Sequence, residues 1–90
     1  MAAKASGINQ QRLGSFVEQA IGRASGLPQA SAAALLRVNA DRLRRHLNAL
    51  ADWASREPAR PCPAHLIGLT AFDLSDAADA LEAEAARRCA

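Results

Sequence analysis

Apolar residues recur with a helical period along much of the chain. Leu13, Phe16, Val17, Ala20, Ile21 and Ala24 fall on one stripe of an α-helix, with Asn9 placed as an N-cap ahead of them. That helix should stop near "SGLP". Gly26 suits a C-terminal cap, and Pro28 disfavours helix at Leu27 while fitting the first turn of the next one. Between Gln29 and Glu57 there is neither glycine nor proline, and strong helix formers dominate. Within this stretch Leu36, Ala40, Leu43, Leu47, Leu50 and Ala54 recur at alternating spacings of four and three, the seam of a helix packed on another helix.

Pro58, Pro61 and Pro63 in "EPARPCP" remove backbone donors and predict an extended joint over 58–63. The following "AHLIGLTAFDL" reads as a short helical turn that brings Leu66, Ile67, Leu69 and Phe72 back onto the core. Ser75 then caps a last helix, with Asp76 and Asp79 near its start and Arg87 and Arg88 at its end, an order that complements the helix dipole. No segment alternates with period two for long enough to make a strand, and no repeat has solenoid spacing. The predicted fold is all-α, one small four-helix domain. A basic helical portion spans 1–57, the proline-rich joint 58–63 and a C-terminal helical portion 64–90.

Composition changes this picture in one respect. Half of the 90 residues are apolar, but much of that is alanine, and the aromatic residues are only Phe16, Trp53 and Phe72. A chain this short with few large apolar side chains is near the lower limit for burying its own core, so a homodimer is expected. No run approaches the ~18 apolar residues of a membrane span, and "MAAKASGINQQR" lacks the apolar core of a secretory signal, so a cytoplasmic protein is expected. Cys62 and Cys89 are too few for a disulfide framework and are expected to be reduced.

Charge is unevenly placed. Residues 1–60 carry nine Lys or Arg against four Asp or Glu, and residues 61–90 carry two against five. Two readings fit: a basic surface for an anionic partner beside an acidic segment able to cover or pair with it, or the solvated faces of ordinary helices.

The run "AAALLRVNADRLRRHL" within Gln29–Leu50 resembles a helix-turn-helix, most closely the C-terminal DNA-binding module of Fis-type proteins and enhancer-binding transcription activators. The match rests on Ala33 where two helices would cross, Leu36 and Val38 flanking the turn, and Leu43 and Leu47 anchoring the second helix. The resemblance implies a supporting helix over Gln29–Leu36 and a recognition helix from Ala40 to about Arg56 that lies in a major groove. Asp41, Arg44, Arg45 and Asn48 would then face DNA, with Arg37 and Arg42 adding charge at the flank. This chain departs from the family pattern at the turn, where Arg37 stands in the place of glycine. A Cβ in a left-handed backbone there would cost about 1 kcal/mol or more. The competing reading keeps Arg37, Val38 and Asn39 as mid-helix residues of one uninterrupted helix.

Candidate chemistry is sparse. Cys62 and His65 form a "CPAH" pair with the spacing of two zinc ligands, and His46 or Cys89 would have to complete it, but two close ligand pairs are not visible and no metal is expected. There is no glycine-rich phosphate loop and no nucleophile elbow, and the carboxylates of the last helix look like dipole-complementing surface charge. No cofactor is implied, and an enzyme is not expected.

Two functions are therefore carried forward. One is a small DNA-binding transcriptional regulator that docks its recognition helix as a homodimer. The other is a helical protein of the kind phages and plasmids encode, which binds and inhibits or adapts a host protein. In that second case Trp53, or the acidic residues Asp76, Asp79, Glu82 and Glu84, would form the contact.

Overall fold

Three α-helices and one 3-10 turn make up the computed structural model, which describes residues 2–56 and 59–89, with side chains from Asn9 onward. Helix α1 runs Ala2–Ser25, α2 Gln29–Arg56 and α3 Ala71–Cys89, and the 3-10 turn covers Ala64–Leu66. The all-α expectation holds, but the count of four helices does not.

The difference lies in α2. It passes through Arg37, Val38 and Asn39 without interruption, and no non-glycine residue described has a positive φ. At position 39 the side-chain amide donates to the Leu35 carbonyl one turn back (2.9 Å), a contact that continuous helix supplies. The two helices that the helix-turn-helix resemblance implies over residues 29–50 are one helix here, as the competing reading has it. With no glycine or proline to break it, helix propensity and the apolar seam act together. At 1.5 Å per residue its 28 residues extend about 42 Å, close to the whole length of a flattened molecule measuring 45 × 26 × 15 Å.

The α1 stripe behaves as expected. Ala20 and Ala24 are buried, and Leu13, Phe16, Val17 and Ile21 pack beside them. Asn9 does not cap this helix, because α1 has already begun at Ala2. Instead the buried Asn9 amide donates to the backbone carbonyls of Ala64 (3.1 Å) and Ile67, tying α1 to the connector. Helix α1 does end beside Gly26, where the Gly26 and Leu27 amides donate to Arg23 and Ala24. Gly26 is not left-handed; that conformation occurs at Gly68 (φ 82°), in the turn before α3.

The α3 boundary also differs from expectation. Ser75 lies inside the helix, and the cap is Thr70. Its hydroxyl accepts from the Asp73 amide (3.1 Å) while the Asp73 carboxylate accepts from the Thr70 amide (2.9 Å), a reciprocal capping box.

Helix α3 runs antiparallel to α2 and packs along most of it, with α1 against both. Arg88, near the end of α3, reaches back to the Ser25 hydroxyl at the α1–α2 turn (3.1 Å). The shared core is small-residue rich: Ala32, Ala33, Leu36, Ala40 and Leu43 of α2 meet Leu74, Ala77, Ala78, Leu81 and Ala85 of α3. Alanine at these positions leaves little between the two backbones, so α2 and α3 can lie close. Leu66 plugs the end of this interface from the 3-10 turn, fully buried as its pattern suggested, and Leu69 is half-buried. Ile67 and Phe72 do not join the core, and Phe72 is 76% exposed. Ala54, the last seam residue, is also exposed. Among the described residues no helix is long and apolar enough to cross a membrane.

Candidate functional site

The residues singled out for DNA or partner contact fall into different surroundings. Arg44 projects from α2 toward α3 and grips two carboxylates. Its Nε and Nη2 donate to the two oxygens of Glu82 (3.3 Å for Nε to Oε2), and Nη2 also donates to Asp79 (2.7 Å). A planar guanidinium matched to a carboxylate at two points is the strongest form of such a pair. The hydrogen bonds it donates, to Glu82 first and then Asp79, hold Arg44 still more firmly in its charged form, and those same bonds pull the Glu82 carboxyl below its ordinary value. The central arginine of the expected DNA face is thus neutralised by two members of the expected acidic face.

The rest of the outer α2 surface mixes signs. Asp41, Arg45 and Asn48 are exposed, and Asp52 pairs with Arg56 one turn on (2.9 Å). Arg37 is also exposed, its Nη2 3.6 Å from the Cys89 sulfur. Arg42 turns toward α1, with its guanidinium 5.9 Å from the centroid of the Phe16 ring. These side chains do not form one basic stripe.

The acidic residues separate similarly. Asp76 is exposed on α3, whereas Glu84 is held by Arg87 and by Arg88 (3.0 Å), and those two hydrogen bonds lower its pKa. Trp53 is half-buried, and its indole N–H donates to the Arg60 carbonyl (2.7 Å), so it anchors the proline-rich connector. Cys62 and Cys89 are free thiols. No group of three or more His, Cys, Asp or Glu with metal-holding geometry occurs among the described residues.

A cleft that the sequence does not announce lies where α1, α2, the 3-10 turn and the start of α3 converge. It encloses about 190 Å³. Phe16 and Leu13 form one wall, and Leu43, Leu66 and Leu74 form a floor that belongs to the core. Asn9, Arg12, Arg42, His46, His65 and Leu69 complete the lining, to which no Asp or Glu contributes. The two imidazoles meet edge to face, with ring centroids 5.0 Å apart. Burial lowers the His46 pKa first, and the neighbouring His65, Arg42 and Arg45 lower it further, so its neutral form is favoured. Sequence spacing points to His65 beside Cys62, and to His46 only as a distant completion of that pair. Arg12 had no signal, because its importance depends on how α1 crosses α2. No family model, curated protein or solved structure shows significant similarity to this chain.

Proposed function

We propose that this protein acts by contact with a protein partner rather than by inserting α2 into a DNA groove. The observation that carries the reading is the position of Arg44: a side chain already forked onto Glu82 and Asp79 is not available to phosphates or base edges without breaking the α2–α3 junction. The mixed charge of Asp41, Arg45, Asp52 and Arg56 adds to this, since a cationic track is what gives non-specific duplex affinity.

Support for a protein contact comes from the start of α3. Phe72 stands 76% exposed in the first turn, and the neighbouring Ile67 is also exposed. An aromatic ring presented this way is a natural anchor for a partner's apolar pocket. Asp76, one turn further along the helix and unpaired among the described residues, would supply charge at the rim. The broader acidic face is narrowed accordingly, because reversing Asp79 or Glu82 would also disrupt the Arg44 junction.

Paired baits test the reading. Wild-type protein and Phe72→Glu are used for affinity capture, alongside fluorescence anisotropy with a random duplex at about 50 and 200 mM salt. A partner enriched by the wild type and lost with Phe72→Glu supports the proposal. Duplex binding that falls steeply with salt and is weakened by Arg45→Ala overturns it in favour of the DNA-binding regulator.

A further inference from the structure

We infer that the cleft between α1, α2 and the 3-10 turn binds a small amphipathic carboxylate, its apolar body against Phe16 and Leu43 and its anionic head toward Arg12 and Arg42. This site is independent of the Phe72 surface.

Size and lining define the class of ligand. An apolar cavity of ~150 Å³ accepts a benzene ring, so a cleft of this volume suits one ring or a chain of about six to eight carbons; the volume here is about 190 Å³. Its floor, Leu43, Leu66 and Leu74, is buried hydrocarbon that rewards an apolar body. A floor closed in this way suits a compact molecule better than an extended peptide, which needs an open groove.

Charge complementarity defines the head group. Arg44, Arg56, Arg87 and Arg88 each have a carboxylate partner within ion-pair distance. Arg12, Arg23, Arg37, Arg42 and Arg45 have none among the described residues, and of these Arg12 and Arg42 line this cleft, together with two imidazoles able to donate N–H bonds. A carboxylate entering the mouth would meet two guanidinium groups and no Asp or Glu there. Guanidinium–carboxylate pairs beside an apolar floor gain from partial exclusion of water.

The test is a titration of ¹⁵N-labelled protein with octanoate, with 1-octanol and acetate as partners in the comparison. Octanoate should produce saturating shifts at the Leu43, His46 and Leu69 amides. It should bind at least about tenfold more tightly than 1-octanol, which lacks the charge, while acetate, which lacks the chain, should not saturate. The double variant Arg12→Gln/Arg42→Gln changes two exposed side chains and should retain the wild-type helical spectrum. In it octanoate affinity should fall about tenfold or more and 1-octanol affinity should stay unchanged. Equal binding of octanoate and 1-octanol, an unaffected double variant, or shifts centred on Ile67 and Phe72 would overturn the assignment. So would a leucine-terminated peptide that shifts these amides where octanoate does not, since the pocket would then belong to a protein C-terminus.

Discussion

Arg44 on α2 and Glu82 on α3 join the basic and acidic parts of the chain through a two-point fork, with Asp79 as a third participant. The pair is partly exposed and lies on the rim of an interface otherwise filled by alanine and leucine. Its contribution should therefore depend on ionic strength. Arg44→Ala and Glu82→Gln should each lower the urea midpoint at low salt, and high salt should shrink both effects. The double variant should lose less than the sum of the two, because each single change already removes the pair. Additive losses at low salt would show that the fork does not couple the helices.

The alanine-lined contact between α2 and α3 makes a steric prediction. Ala78 is fully buried, at 0% exposure, against a helix that approaches closely. Ala78→Leu should cost about 1–3 kcal/mol by overpacking, whereas Ala83→Leu on the exposed side of α3 should stay within about 0.5 kcal/mol of wild type. Removing volume from the same interface with Leu81→Ala should cost about 2–5 kcal/mol. Equilibrium urea denaturation measures all three. A neutral Ala78→Leu would mean that the helices are free to separate there.

Asn9 supplies a different kind of restraint, a donor shared between two connector carbonyls. Asn9→Leu keeps the approximate size but leaves those carbonyls without it, and should cost about 1–3 kcal/mol. The loss should be local as well as global. Amide exchange at Leu66 and Leu69, which hold the turn through Pro63 and Leu66, should accelerate more than exchange at Leu36 or Leu81. Uniform acceleration across the molecule would assign Asn9 a general packing role instead.

Helix periodicity made the interior stripe of α1 and the α2 seam legible, since Ala20, Ala24, Leu36, Ala40, Leu43 and Leu50 are all buried. The same spacing could not distinguish one helix from two. Leu36, Leu43 and Leu47 serve equally as anchors on either side of a turn or as successive seam residues, and the decision rests on whether the backbone bends at Arg37–Asn39. The absence of glycine there was the informative local feature. Capping chemistry misled twice: Asn9 has the side chain of a cap but gives its amide to the connector, and Ser75, read as the cap, lies inside the helix, while Thr70 and Asp73 form the reciprocal box. The Arg44 fork and the cleft bring together residues that are distant in the sequence, and no local pattern encodes such meetings.

His46 in the cleft adds a pH dependence with a definite sign. His46 is a base whose pKa in the folded state is pushed below its ordinary value of 6.5, by burial first and then by His65, Arg42 and Arg45; Arg12 adds positive charge to the same cleft from α1. The unfolded chain therefore takes up the proton more readily than the folded one. Stability from neutral His46 is fully present above about pH 6.5 and declines as pH falls from there through the lower folded value. The paired carboxylates Glu82 and Glu84, also shifted down, hold their stabilising contribution above their ordinary value of 4.5 and lose it only as pH falls below that. The interval between those two ordinary values separates His46 from these carboxylates. In urea titrations across it, wild type should lose stability toward acid while His46→Gln, which carries no titrating ring, should hold a flatter profile. A slope unchanged in His46→Gln would transfer the effect to another group, and the lowered proton affinity of His46 would then have no consequence for folding.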